Sequence, residues 1–272
     1  MTTVQKVDYH DCCQAFADSY EVSNSPAMKA IERSVLGCDY GGTSWTTSVQ
    51  ARQMIDKLRL GSGQHLLEIG AGSGWPGVYF ADASGCNVTL VDLPVNALAK
   101  ALDRANSDGL TEQVTAIVGS GCALPFETDV FNALSHSDVL CCLPEKVEML
   151  AECRRVAKTG ARMVFSVIAI CDDLDGVAYQ RAIDAGPPFV ECPASYPEMV
   201  SQAGWQIDDR IDVTDAHRAS LAALIQGMNN SKSLAEDLGD DAILEATARR
   251  QEQIDVIEAG LLVREIYSSV VI

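Results

Sequence analysis

Leu66-Leu67-Glu68-Ile69-Gly70-Ala71-Gly72-Ser73-Gly74-Trp75-Pro76-Gly77 is the stretch on which the reading of this 272-residue chain turns. Leu66, Leu67 and Ile69 read as a short buried strand. Glycines then alternate at 70, 72 and 74, and Val78-Tyr79-Phe80-Ala81 opens a helix. Glycines so spaced let the backbone turn sharply and approach a ligand where a Cβ would clash. The helix start offers free N–H groups to a polar ligand. Pro76 suits a first helical turn, where its missing N–H has no partner to lose.

A second strand, Asn87 to Leu93, carries Asp92 near its carboxyl end. A carboxylate there can accept both hydroxyls of a ribose, as in nucleotide sites on doubly wound sheets. Strand, glycine turn, helix, strand and acid together imply a nucleoside-containing cofactor. A dinucleotide fingerprint starting at Gly70 would need glycine at position 75, which is Trp75. Gly72, Gly74 and Gly77 have the right spacing, two residues late relative to the strand.

Composition narrows the class. The length favours one large α/β domain with additions over two equal domains. A hydrophobic content of 47% is ample for a packed core. No apolar run approaches the roughly 20 residues of a membrane span. The polar segment Met1 to Asp11 does not read as a signal peptide, so a cytoplasmic location is expected. The net charge of −18 repels nucleic acid and anionic membranes. Neither is an expected partner; a small molecule is. The ten cysteines include the adjacent pairs Cys12-Cys13 and Cys141-Cys142 but no Cys-x-x-Cys. Reduced, mostly buried thiols are expected, with no metal.

Residues 8–36 read as two helices divided at Pro26, followed by a Gly- and hydroxyl-rich loop from Gly37 to Thr47. Thr46 or Thr47 can cap the next helix, about 48–59. Helix follows strand through Val95–Asn106, Val114–Val118, a strand from Phe131, Lys146–Val156, a turn at Lys158-Thr159-Gly160 and a strand Met163–Ile170. A helix Tyr196–Ala203 and a strand near Trp205–Val213 come next. Residues 215–259 form a charge-rich helical insertion, and Val263–Ile272 is a last strand, at a sheet edge or antiparallel to a neighbour. This alternation argues for a parallel, doubly wound sheet.

The form hydrophobic-hydrophobic-Glu-hydrophobic-Gly-x-Gly-x-Gly, with Asp92, resembles the first motif of class I S-adenosylmethionine (SAM)-dependent methyltransferases. Ala123-Leu124-Pro125-Phe126 is similar to that family's Leu-Pro-Phe loop, and Arg154 to Gly160 to its Leu-Lys-Pro-Gly-Gly turn. The resemblance implies an α/β, Rossmann-like seven-stranded sheet with the last strand antiparallel, plus N-terminal helices and a helical insertion before that strand. Residues 1–47 would be the N-terminal helices and a cofactor-covering loop, and 48–272 the methyltransferase domain with its insertion 215–259. The implied activity is methyl transfer from SAM to a small-molecule acceptor.

Carried over by position, Gly70, Gly72 and Gly74, with Glu68 and Ala71 in the same turn, would meet the methionine part of SAM. Asp92 would take the ribose hydroxyls, and Leu93 would flank the adenine. Ser120 stands where the family often has an adenine-binding Asp, with Gly121 and Cys122 beside it. Thr46 and Ser135 complete the implied cofactor set. The loop Gly41-Gly42-Thr43-Ser44-Trp45-Thr46-Thr47 resembles the cofactor-covering loop of phosphoethanolamine and sarcosine/dimethylglycine N-methyltransferases. Ser137 to Cys142 resembles their Asp-x-x-Leu-His segment, with Cys142 at the His position. A thiol does not replace imidazole as a base, so their substrates do not transfer.

His136 and Asp138 fall at the carboxyl end of the fourth strand, facing the expected cofactor. His136 is the candidate base or substrate ligand; the alternative is a hydrogen-bonded structural group. Asp138 could hold a substrate amine or orient His136, or cap the next turn. Tyr20, Tyr40 and Trp45 are candidates to shield the site or to contact a cationic methyl acceptor, with core packing as the alternative for each. The insertion would shape the substrate pocket or form a homodimer surface. Two other functions stay open: an NAD(P)-dependent oxidoreductase on the shifted glycine reading, and a SAM-binding protein without transfer activity.

Overall fold

The structure is a computed structural model describing residues 9–272, with side chains described from Cys13 onward. The expectations for the polar segment Met1–Asp11 and for the thiol of Cys12 rest on residues or side chains outside those described. Three helices come first: α1 (Tyr9–Ser23), α2 (Pro26–Leu36) and α3 (Ser48–Leu58). Strand β1 (His65–Ile69), α4 (Gly77–Ser84), β2 (Asn87–Asp92), α5 (Val95–Ser107) and β3 (Val114–Val118) follow. Then come β4 (Phe131–Ser137), α6 (Lys146–Val156), β5 (Ala157–Ile170), α7 (Gly176–Ala185), α8 (Tyr196–Gln202) and β6 (Trp205–Asp212). The insertion is three helices, α9 (Thr214–Asn230), α10 (Lys232–Leu238) and α11 (Asp240–Glu258), before β7 (Leu262–Val271).

The seven strands lie in the order β3-β2-β1-β4-β5-β7-β6. Strands β1 to β5 pair in parallel, while β7 runs antiparallel to both β5 and β6. The strand order reverses between β1 and β4, so a crevice opens past their carboxyl ends. Doubly wound sheets bind ligands at such a point.

Period-two alternation explains why β1 is buried on both faces. Leu66 points into one core with Met54, Val78 and Ala101 of α3, α4 and α5. Leu67 and Ile69 point into the other, with Met149 of α6 and Met199 of α8. Both leucines are wholly buried, each contributing about 1.5–3 kcal/mol. A third cluster joins α2 to the insertion through Met28, Ile31, Leu224, Met228 and Ile243.

Two local expectations change, one pair of alternatives resolves to the antiparallel one, and one helix is added. The residues Lys158-Thr159-Gly160 lie inside β5, where the β4–β5 register shifts between Phe131 and Ala133. Gly160, at φ 74°, lets the strand carry that irregularity. Strand β7 lies inside the sheet and is no edge; it offers both of its sides to hydrogen bonding. Pro76 sits one residue before the first turn of α4 rather than in it. Helix α7 has a weak sequence signal of its own; Asp175 caps it by accepting from the backbone N–H groups of Val177 and Ala178.

Candidate functional site

The glycine turn builds the floor of the site. Gly70, Gly72 and Gly74 all have positive φ, at 66°, 51° and 97°, the region that glycine enters without steric cost. A Cβ on Gly70 would lie 2.4 Å from Val139 Cγ2, and one on Gly72 would lie 2.4 Å from the Tyr20 hydroxyl oxygen. Gly74 serves packing, because a Cβ there would strike Val78 and Ala101. So does Gly77, where a Cβ would lie 2.7 Å from Leu90 Cδ2. Its place in the shifted dinucleotide spacing therefore reflects the seating of α4 on β2.

Above this turn lies a cavity of about 280 Å³. Gly70, Ala71, Gly72 and Ser73 of the turn line it, together with Asp92, Leu93 and Tyr20. It continues past Trp45, Ser137 and Asp138 to Leu143 and Ile168, and Gln253 of α11 reaches it. Asp92 is placed by two backbone donors: the Gly72 N–H at 2.7 Å from Oδ2, and the Leu93 N–H at 2.7 Å from Oδ1. Each oxygen keeps a further lone-pair site, the number that two ribose hydroxyls need. Burial raises the Asp92 carboxyl above its ordinary value, opposed by those two N–H bonds.

Ser73 went unmarked in the sequence. Its hydroxyl is buried, lines the cavity and finds no partner among the described residues. A buried polar group normally has one, so Ser73 Oγ is a waiting contact for a polar ligand. The readable signal was a hydroxyl inside the glycine turn.

The remaining expected cofactor residues stand behind the lining. Glu68 is buried, accepts from the Ser135 hydroxyl and is pushed up to about 8 by burial. Near neutrality it is therefore largely uncharged. Gly121 packs on Ile69 and Met149, and Ser120 Oγ accepts from the Cys122 N–H. These three residues lie in the loop after β3, outside the cavity lining. Thr46 is fully buried; its carbonyl accepts from Trp75 Nε1 at 2.7 Å, and its hydroxyl donates to Ser137 Oγ at 3.3 Å. It fastens the covering loop, while Gly42, Thr43, Ser44 and Trp45 face the cavity. Thr47 caps α3 in a reciprocal capping box with Gln50.

The two catalytic candidates part company. His136 is wholly buried in β4 and absent from the cavity lining. Its ring stacks on Phe165 with centroids 4.7 Å apart. Neither ring nitrogen finds a hydrogen-bond partner. Burial pulls it down to about 3, only partly opposed by Asp138. Its place at the carboxyl end of the fourth strand reads as cofactor-facing, but the side chain packs on Phe165 and away from the cavity lining.

Asp138 does line the cavity, at φ 58°. Its carboxylate accepts from Arg264 Nε and Nη2, each at 2.9 Å, and from the Ser166 hydroxyl at 3.1 Å. It therefore orients no histidine. Burial raises its carboxyl, but the Arg264 charge and hydrogen bonds outweigh that and hold it below the ordinary value.

Arg264, the other half of this pair, was missed. Its side chain is fully buried. Besides Asp138 it donates to Thr46 Oγ1 and Ser166 Oγ through Nη2, and to Gln50 Oε1 through Nη1. Only its place in an apolar last strand could have flagged it. His217 of α9 is buried nearby with its ring edge-on to Trp45, centroids 5.0 Å apart. Burial first, then Arg264, lowers it to about 3.

Of the aromatic candidates, Tyr20 and Trp45 reach the cavity. Tyr20 accepts from the Thr43 hydroxyl at 3.3 Å. Tyr40 does not reach it; its ring packs 5.1 Å from Trp75 and lies under the Arg104 guanidinium. Among the described residues no group of His, Cys, Asp and Glu could hold a metal ion.

Sheet order, glycine cradle and nucleoside-ready acid together define a class I SAM-dependent methyltransferase. Residues 67–165 match the family model described as a methyltransferase domain. It is 24% identical to Methyltransferase GfsG of Streptomyces halstedii over 76% of this chain and 75% of that one. It is 27% identical to (+)-O-methylkolavelool synthase of Herpetosiphon aurantiacus, over 66% of this chain and 64% of the relative's length. Phosphoethanolamine N-methyltransferase 2 of Haemonchus contortus, solved with phosphomonomethylethanolamine and S-adenosylhomocysteine (SAH), shares the fold. The TM-score is 0.80 at 16% identity, over 97% of this chain and 60% of that one. The cofactor is SAM, in place of the nicotinamide left open by the glycine spacing.

Proposed function

We propose that the chain transfers a methyl group to a small molecule held between Trp45, Asp138 and Ile168, and that positioning and water exclusion, not His136, drive the step. One observation carries this reading. A single cavity runs from the Asp92 carboxylate and the glycine turn to that apolar wall. Cofactor and acceptor can thus share one space. Asp92 would hold the ribose, the Gly70–Gly72 backbone and Ser73 Oγ the amino-acid end, and Leu93 the base. SAM supplies a methyl group on a cationic sulfur, open to in-line attack.

The protein's share is geometry. Holding the acceptor close and aligned supplies most of what such a transfer needs. Thr46, fixed to Trp75 and Arg264, keeps the covering loop down and water out. Asp138, locked to Arg264, keeps the cavity wall in one conformation. The kolavelool relative is named for an O-methylated product, which suits an oxygen acceptor.

Calorimetry with SAM and SAH tests the reading. Micromolar binding of both is expected, and Asp92→Ala should weaken it by about 100-fold, the equivalent of two charge-assisted hydrogen bonds. Wild-type affinity in that variant would remove Asp92 from the site. With an identified acceptor, His136→Phe should keep kcat within about threefold of wild type; a loss of 10²-fold or more, typical of a missing general base, would restore His136 to the chemistry.

A further inference from the structure

We infer that the acceptor is an uncharged, largely apolar molecule, and that the site rejects phosphorylated and ammonium-bearing compounds. This rests on the methyl-transfer reading and adds the chemical class of the substrate. Among the described residues no lysine or arginine lines the cavity. The buried cation behind it, Arg264, has its donors committed to Asp138, Ser166, Thr46 and Gln50. A phosphate or carboxylate entering the acceptor end, beyond the glycine-turn N–H groups that would meet the amino-acid end of SAM, would lose its hydration and gain no counter-charge, a cost of several kcal/mol.

A cation fares no better. Among the described residues two carboxylates reach the cavity. Asp92 belongs to the nucleoside end and is held by two backbone N–H groups. Asp138 is neutralised by Arg264 at 2.9 Å. An ammonium head would therefore meet a compensated ion pair. The chain's charge of −18 does draw cations to its surface. That field is screened over about 8 Å at physiological ionic strength and supplies no contact inside.

What the wall does offer is apolar: Phe16, Trp45, Val139, Leu143, Ile168 and Pro187. Gln253 of α11 adds one neutral amide, able to donate to or accept from a hydroxyl or carbonyl. No buried histidine reaches the cavity to remove a proton. The acceptor accordingly suits a neutral oxygen or carbon centre: its bond to the methyl group forms as the methyl–sulfur bond breaks, and its proton leaves to solvent at the mouth of the cavity rather than to a histidine.

The test holds the hydrocarbon constant and varies the head group. Geraniol, geranyl diphosphate and geranylamine, with the matching farnesyl trio, are titrated calorimetrically into the full chain saturated with SAH. At least one alcohol should bind about tenfold or more tightly than its charged counterparts. Gln253→Ala should weaken that alcohol several-fold and leave SAH affinity unchanged. A diphosphate or amine binding as tightly as its alcohol overturns the inference. So does failure of both alcohols while SAH binds. Failure of SAH itself brings down the methyl-transfer reading beneath it.

Discussion

Gly72 meets two separate demands with one missing side chain. Its N–H donates to Asp92 Oδ2, and its Cα faces the Tyr20 hydroxyl at a distance that no Cβ could share. Gly72→Ala should therefore cost about 1–3 kcal/mol from the positive φ and also displace Tyr20 from the cavity. We expect SAM affinity to fall by about tenfold or more. Gly85, at φ 71° with nothing within 4 Å of its would-be Cβ, is the control. Gly85→Ala carries similar backbone strain and should leave SAM binding intact. Equal affinities for the two variants in calorimetry would refute the role given to Tyr20. At this scale the sequence was informative where chemistry lies in the backbone. Gly70, Gly72 and Asp92 could be read because turn geometry and strand ends dictate them. His136 misled, because one residue of strand phase decides whether a ring meets a ligand or a neighbouring Phe165.

Among the elements, β7 has the largest reach. It crosses β5 and β6 antiparallel and sends Arg264 through the sheet layer to the loop before α3. Removing one partner of a buried ion pair leaves an uncompensated charge. Arg264→Met should thus destabilise the protein by about 3–5 kcal/mol, read from urea midpoints. Adding Asp138→Asn removes that charge, tolerates the positive φ, and should recover much of the loss. The double variant should still bind SAM more weakly than wild type, since Thr46 stays unanchored. A double variant no more stable than Arg264→Met would show that the pair is not the source of the effect. The strands and most helices were legible from periodicity and turn residues. The position of β7 between β5 and β6 was not, because an apolar alternating strand reads alike at an edge and inside.

For the molecule as a whole, two buried imidazoles set the acid limit. His136 and His217 are both held near about 3 by burial, against an ordinary value of about 6.5. Between those values the unfolded chain binds more protons than the folded one, so stability rises with pH across the window and is fully present above about 6.5. Glu68 and Asp92, both raised by burial, pull the other way over part of this window, so the histidine share is read as a difference: His136→Phe should lose less melting temperature than wild type between pH 6.5 and pH 4. Parallel slopes for variant and wild type would exclude His136 as a source. Asp138, held low by Arg264, adds its own loss only below its ordinary value near 3.9. None of this was visible in composition, which counts four histidines but not their surroundings.

The Arg264–Thr46 contact also says something about the order of synthesis. The two residues are 218 positions apart. A ribosome making this chain would release the glycine turn, Asp92 and the covering loop long before Arg264 exists. The nascent sheet could pair β1 with β2 and β4 early, since their residues all lie upstream. Until β7 emerges and inserts beside β5, Thr46 and Gln50 lack the guanidinium that fixes them, and Asp138 lacks its counter-charge. Closure of the loop therefore waits on β7: the chain cannot hold its ligand firmly until that strand has been made and has inserted.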